Sequence, residues 1–246
     1  MIIDISNTIG RHRFKPEITA ESLLDQMNAA GIDRAVINCH PESLDNESVY
    51  NAILRYPDRF IGLYTVNPWR DDAAVELEDA LKLKGFKGLY MHPLRHGYML
   101  CEREVFYPLL EICHRYNAVV WCYGAAEVFS SPVFFNQLAK DFPRVNIIMG
   151  RMGLQYDNAS AVVIAEKNPN IYLDTSGGMD FNIHRALKTS GVDKVMLGTG
   201  TPECNYYELE LIKVRNAAKE FPDGVEKVLW KNAARVFHLE GIIDDH

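Results

Sequence analysis

Short runs of β-branched and other apolar residues recur along the chain, each followed by a longer stretch whose apolar positions repeat at helical spacing. The strand-like runs fall at 2–5, 35–38, 60–66, 88–91, 118–122, 145–149, 171–173 and 194–197. Helix-like stretches occupy 19–30, 47–56, 71–83, 104–116, 132–141, 158–168, 181–190 and 206–220, with further helical pattern over 225–239. Thr19 offers a first N-cap, and Gly31, Gly85 and Gly191 mark helix exits. Pro57 and Pro143 end two other helices, and Asn117 can turn the chain after Tyr116. Strands alternating with helices of this length indicate parallel βαβ units. Eight units without an insertion predict a closed (β/α)8 barrel, a TIM barrel, in preference to an open doubly wound sheet. The barrel is expected as a single domain over residues 1–246, with its function at the carboxyl ends of the strands.

Composition narrows the partners. The formal net charge of −7 argues against broad binding to nucleic acid or anionic membrane, both of which need a basic surface. A local basic pocket is still compatible with it. The five cysteines (Cys39, Cys101, Cys113, Cys122, Cys204) are scattered and lack C-x-x-C spacing, so they form neither a disulfide framework nor a zinc knuckle. The opening Met1-Ile2-Ile3-Asp4 leaves no room for a secretory signal, and no apolar run approaches the roughly 20 residues that span a bilayer. A cytoplasmic location is therefore expected.

The segments that close each strand carry recognisable phrasing. Residues 1–10 read M-I-I-D-I-S-N-T-I-G, residues 88–93 G-L-Y-M-H-P, and residues 117–124 N-A-V-V-W-C-Y-G. Further on come N-I-I-M-G-R-M-G at 146–153, I-Y-L-D-T-S at 171–176, V-M-L-G-T-G-T-P at 195–202 and N-A-A-R-V-F at 232–237. In order and wording these resemble the strand ends of the amidohydrolase-related barrels, the group that contains metal-dependent decarboxylases and lactonases. The resemblance covers nearly the whole chain.

It also implies a metal site that this chain does not spell. Where the family places two metal-binding histidines on strand one, the chain has Ser6 and Thr8; the strand-five histidine falls on Cys122. The strand-six histidine becomes Arg151, and the strand-eight aspartate, a ligand and proton acceptor in the family, becomes Gly200. Zinc or manganese requires imidazole, thiolate or carboxylate donors. Hydroxyls are poor donors, glycine has no side chain to offer, and a guanidinium cannot be deprotonated to coordinate. The expectation is a degenerate site with no metal and no cofactor.

Arg151 then places a permanent positive charge near where the metal would lie, suited to a bidentate grip on a carboxylate or phosphate. Arg11, His12 and Arg13 follow strand one, and His92, Arg95 and His96 follow strand four. An anion-binding pocket at the barrel mouth is one reading, with His12, Arg13, Arg95, Arg151, Tyr123 and Glu203 as ligand-binding residues. The plainer alternative is that Arg151 pairs internally with Asp4, Asp174 or Glu203, since buried charges must be paired. Tyr123 and Glu127 are pocket residues by position only, and the run Asn38-Cys39-His40 after strand two is a weaker signal.

His92, Asp174 and Cys122 are the catalytic candidates. His92 sits where the family often has a histidine, although a lone histidine is more often a packing residue. Pro93 interrupts any helix joining His92 to His96, so the two are not a ligand pair. Asp174 can accept a proton or anchor Thr175 and Ser176. Cys122 beside a cation would be an activated thiolate, against the ordinary reading of inert packing.

Three readings follow. The first is a non-catalytic barrel that binds a small anion, carboxylate or phosphate, or that partners another copy as a homodimer or an active relative. The second is a metal-independent hydrolase of the lactonase type, acting on a small carboxylate-bearing substrate. The third is a metal enzyme with a rebuilt ligand set such as Cys122 and His92. Losing every inherited ligand ranks them in that order.

Overall fold

The computed structural model describes residues 1–12, 15–125, 128–202 and 206–239. Eight strands alternate with helices: β1 Ile3–Ile9, β2 Arg34–Cys39, β3 Phe60–Thr65, β4 Gly88–Met91, β5 Val119–Tyr123, β6 Ile147–Gly150, β7 Ile171–Asp174 and β8 Val195–Met196. They form one parallel sheet in sequential order. Ile5 N–H donates to the Leu197 carbonyl at 2.9 Å and Gly200 N–H to the Ser6 carbonyl at 2.8 Å, which brings β1 against the β8 segment and closes the barrel. The predicted (β/α)8 architecture is what the chain adopts.

The helices wrapping the sheet include α1 Ala20–Ala30, α2 Asn46–Arg55, α3 Ala73–Leu83, α4 Pro93–His96, α5 Arg103–Tyr116, α6 Phe135–Asp141, α7 Asn158–Lys167, α8 Asp180–Thr189 and α9 Tyr207–Ala218. Their ends follow the local chemistry read from the sequence. Thr19 Oγ1 accepts from Ser22 N–H at 3.1 Å to start α1, and Asn117 takes the left-handed conformation (φ 51°) that ends α5. Pro93 sits at the first position of the one-turn α4, so His92 stands just outside that helix while His96 closes it.

Side-chain alternation splits the core in two. Ile3, Ile5, Tyr90, Trp121, Ile148 and Met196 face the barrel interior, where Phe237 and Leu239 of the C-terminal segment join them. Leu89, Met91, Val120, Cys122, Ile147 and Met149 face the helices instead. Strand β1 continues well past the expected 2–5 segment, through the polar Ser6-Asn7-Thr8, because its backbone is paired on both sides. A register irregularity between Asp4 and Asn7 resets the alternation there. No helix among the described residues is long and apolar enough to cross a membrane.

Candidate functional site

A cavity of about 220 Å³ opens at the carboxyl ends of the strands. Its wall takes Ser6 and Thr8 from β1, Asn38 from β2, Tyr90 from β4, Trp121 and Tyr123 from β5, together with His40, His92, Arg95, Arg151 and Gly200 beyond strand ends. Larger depressions lie on the outer flank, among α3 and α5 residues such as Glu78, Tyr107 and Arg115, away from the strand ends.

One side of the cavity is a two-layer aromatic ladder. Strands β4 and β5 pair Tyr90 with Trp121, and their rings stack at 4.8 Å with planes 14° apart. Two residues on, the same faces carry His92 and Tyr123, whose rings stack at 4.3 Å and 12°. Gly150 on neighbouring β6 makes room, since a Cβ there would overlap the Trp121 ring. The opposite side is polar and shallow, with the hydroxyls of Ser6 and Thr8, the Asn38 amide and side-chain-free Gly200.

His92 is 9% exposed, and its Nδ1 is buried without a hydrogen-bond partner. Burial pushes its pKa well below the ordinary histidine value, and the nearby charges of Arg95, His96, Arg151 and His40 push the same way. The imidazole is therefore neutral at pH 7. Arg95 pairs with Glu42 at 3.1 Å, and the Arg151 guanidinium carbon stands 5.8 Å from the Tyr123 ring centroid. His12 lies outside the cavity wall, its ring 4.2 Å from that of His40 with the planes tilted by 54°. Arg13, Glu127 and Glu203 fall outside the described residues.

Cys122 does not reach this cavity. Strand alternation turns it toward the helices, between inward-facing Trp121 and Tyr123, so the expected position of a strand-five ligand is corrected by one residue. Burial also raises its thiol pKa, which is the reverse of an activated thiolate. Asp174 lies beneath the cavity rather than in its wall. It is fully buried, and its carboxylate accepts from Ser176 N–H and Ser176 Oγ, both at 2.8 Å, and from Arg151 N–H at 3.3 Å. Asp4 is equally buried and accepts from Ser6 N–H at 3.1 Å, Thr199 N–H at 3.0 Å and the Thr199 hydroxyl. Burial, reinforced by the nearby Asp174 charge, raises the Asp4 pKa to about 7.

Sequence reasoning missed Tyr90 and Trp121 as cavity wall. Counting strand alternation back from Tyr123 finds Trp121, and counting back from His92 finds Tyr90. Of the weaker run after strand two, Asn38 and His40 line the cavity.

A family model for amidohydrolases matches residues 6–239, and the chain belongs to that family. Solved structures share its fold at low identity. A probable 2-pyrone-4,6-dicarboxylic acid hydrolase from Acinetobacter baumannii, solved with citric acid bound, superposes with a TM-score of 0.73 at 18% identity, covering 97% of this chain and 99% of that one. A dihydroxybenzoic acid decarboxylase from Polaromonas, with bound manganese and an inhibitor, gives 0.76 at 17%, covering 97% of both chains. An uncharacterised TIM-barrel protein from Bordetella bronchiseptica gives 0.79 at 19%, covering 98% and 99%. No protein of curated function matches the sequence.

The family implies a divalent metal, and the residues at the positions where the resemblance places its ligands do not fit one. Ser6, Thr8, Arg151 and Gly200 supply no imidazole or carboxylate, and the guanidinium would repel a cation. Among the described residues no group of three or more His, Cys, Asp or Glu side chains is placed to hold a metal ion.

Proposed function

We propose that this barrel hydrolyses a small lactone or ester that carries a carboxylate, without a metal. The observation that carries the reading is a neutral imidazole, His92, flanked by the guanidinium groups of Arg95 and Arg151 on the wall of a strand-end cavity. The Arg151 guanidinium takes the substrate carboxylate as a charge-assisted pair. The aromatic wall of Tyr90, Trp121 and Tyr123 borders the substrate ring. His92 accepts a proton from water as the hydroxyl adds to the carbonyl carbon. The hydroxyls of Ser6 and Thr8 stand on the opposite wall, where donors can meet the developing oxyanion. The acyl C–O bond then breaks, and the proton held by His92 passes to the leaving oxygen.

A bound carboxylate also offsets the guanidinium charges that add to burial in depressing the His92 pKa, and so favours proton uptake by the group that must act. Similarity to a lactone hydrolase and to decarboxylases supports an enzyme over the non-catalytic barrel that the sequence alone ranks first.

The test is turnover of 2-pyrone-4,6-dicarboxylate and simpler carboxylated lactones in the presence of a chelator. Hydrolysis that survives chelation, is abolished in His92→Gln and shows a raised KM in Arg151→Met supports the reading. Activity that appears only with added manganese, or that ignores His92→Gln, refutes it. Saturable stabilisation by these acids without turnover returns the protein to the binding role.

A further inference from the structure

The chain leaves β6 through an unusual turn. Arg151 (φ 61°), Met152 (φ 33°), Gly153 (φ 75°) and Leu154 (φ 48°) all have positive φ, and three of the four carry a Cβ. Side chains disfavour this region because the Cβ crowds the following carbonyl. Such a run persists only where its surroundings over-determine it.

Here three buried polar side chains do so. Asp174 Oδ2 accepts from Arg151 N–H at 3.3 Å, Asn158 Nδ2 donates to the Met152 carbonyl at 3.2 Å, and Asn182 Nδ2 donates to the Leu154 carbonyl at 3.4 Å. Asp174, Asn158 and Asn182 are 0%, 2% and 1% exposed. Met152 is fully buried, with its terminal methyl where a Cβ on Gly178 would stand.

Asp174 differs from the other two. All of its hydrogen bonds are accepted ones, two from Ser176 and one from Arg151, which suits a carboxylate and not an amide. Gly198 on the adjoining β8 segment leaves space for it, because a Cβ there would overlap Oδ1. From this geometry we infer that Asp174 is a positioning residue: by holding the left-handed turn it keeps the Arg151 guanidinium on the cavity wall, and so sets the preference of the site for anions. The inference rests on the proposed grip of Arg151 on a carboxylate.

Benzoate and its uncharged counterpart benzamide separate the two claims. Their affinities are measured by calorimetry for wild type, Arg151→Met, Asp174→Asn and Ser176→Ala. Arg151→Met removes the discrimination between the two probes. Asp174→Asn keeps the shape but turns an N–H toward a backbone N–H. It weakens benzoate by about tenfold and leaves benzamide unchanged. Ser176→Ala removes a bond to the same carboxylate without touching Arg151, so it lowers Tm and leaves the ratio intact.

A wild-type ratio in Asp174→Asn, with the ratio lost in Arg151→Met, overturns the positioning role and spares the site. A wild-type protein that does not discriminate, or an Arg151→Met variant that still does, overturns both. Should Asp174→Asn not fold, Asn158→Ala loosens the same turn and must show the same selective loss of benzoate; an unchanged ratio there also overturns the inference.

Discussion

Replacing Asp4 with asparagine tests whether burial holds its carboxyl group protonated. Asp4 Oδ1 accepts both backbone N–H groups, from Ser6 and Thr199, while Oδ2 meets the Thr199 hydroxyl. An asparagine oxygen can take the first place and its amide nitrogen can donate to the hydroxyl oxygen, so Asp4→Asn fits with one proton reversed. In the folded protein the Asp4 pKa is pushed up to about 7 from its ordinary 3.8. Below pH 3.8 both folded and unfolded chains are protonated, and the raised pKa has no effect on the variant's relative stability. Between pH 3.8 and 7 only the folded chain keeps the proton, so wild-type stability falls as pH rises. The full displacement is worth about 4 kcal/mol at 1.36 kcal/mol per unit. Two of those units lie between pH 5 and 7, so from pH 5 to pH 8 Asp4→Asn gains about 3 kcal/mol over wild type. Urea unfolding followed by circular dichroism at both pH values measures the difference, and the comparison with wild type removes every other titration. A stability difference that is flat with pH refutes the reasoning: Asp4 would then be ionised at neutral pH and held by its three donors.

His92 gives the opposite pH dependence. Its folded pKa is depressed, so its contribution is complete above about pH 6.5 and is lost as pH falls through the folded value; His92→Gln should therefore gain on wild type in acid, and parallel unfolding curves from pH 7 down to 5 would count against a buried neutral imidazole. Gly150→Ala drives a methyl into the Trp121 ring and should cost about 1–3 kcal/mol, with part of the loss recovered by Trp121→Phe in a double-mutant cycle. Thiol labelling with peptide mapping should modify exposed Cys101 in the native protein and spare Cys39, Cys113 and Cys122; rapid native labelling of Cys122 would contradict its placement against the helices.

Much of the architecture was legible because burial on both faces of a barrel strand leaves a short apolar run, and helix exits carry glycine, asparagine or proline. The errors lie where that signal stops. Strand β1 was cut short at residue 5 because Ser6, Asn7 and Thr8 are polar, although the backbone pairing that extends the strand does not depend on side-chain polarity. Strand β5 was found, but the position facing the cavity was assigned to Cys122. Matching a family phrase ignored the two-residue period that places Trp121 and Tyr123 inward.

The sequence by itself determined the class of fold and the family, and it put Ser6, Thr8, Arg151 and Gly200 at the strand ends, because each of these is a property of residue identity and order. Only the tertiary structure decided what those residues meet. His92 owes its depressed pKa first to burial and then to charges on three segments, those of Arg95 and His96, of Arg151 and of His40. Asp4 owes its raised pKa to burial inside the closed barrel, opposed by the hydrogen bonds from Ser6 and Thr199. Arg151 reaches the mouth through a left-handed turn held by Asp174, Asn158 and Asn182. Electrostatics and packing depend on distances through space, and a linear pattern of residues encodes those only after the barrel has closed.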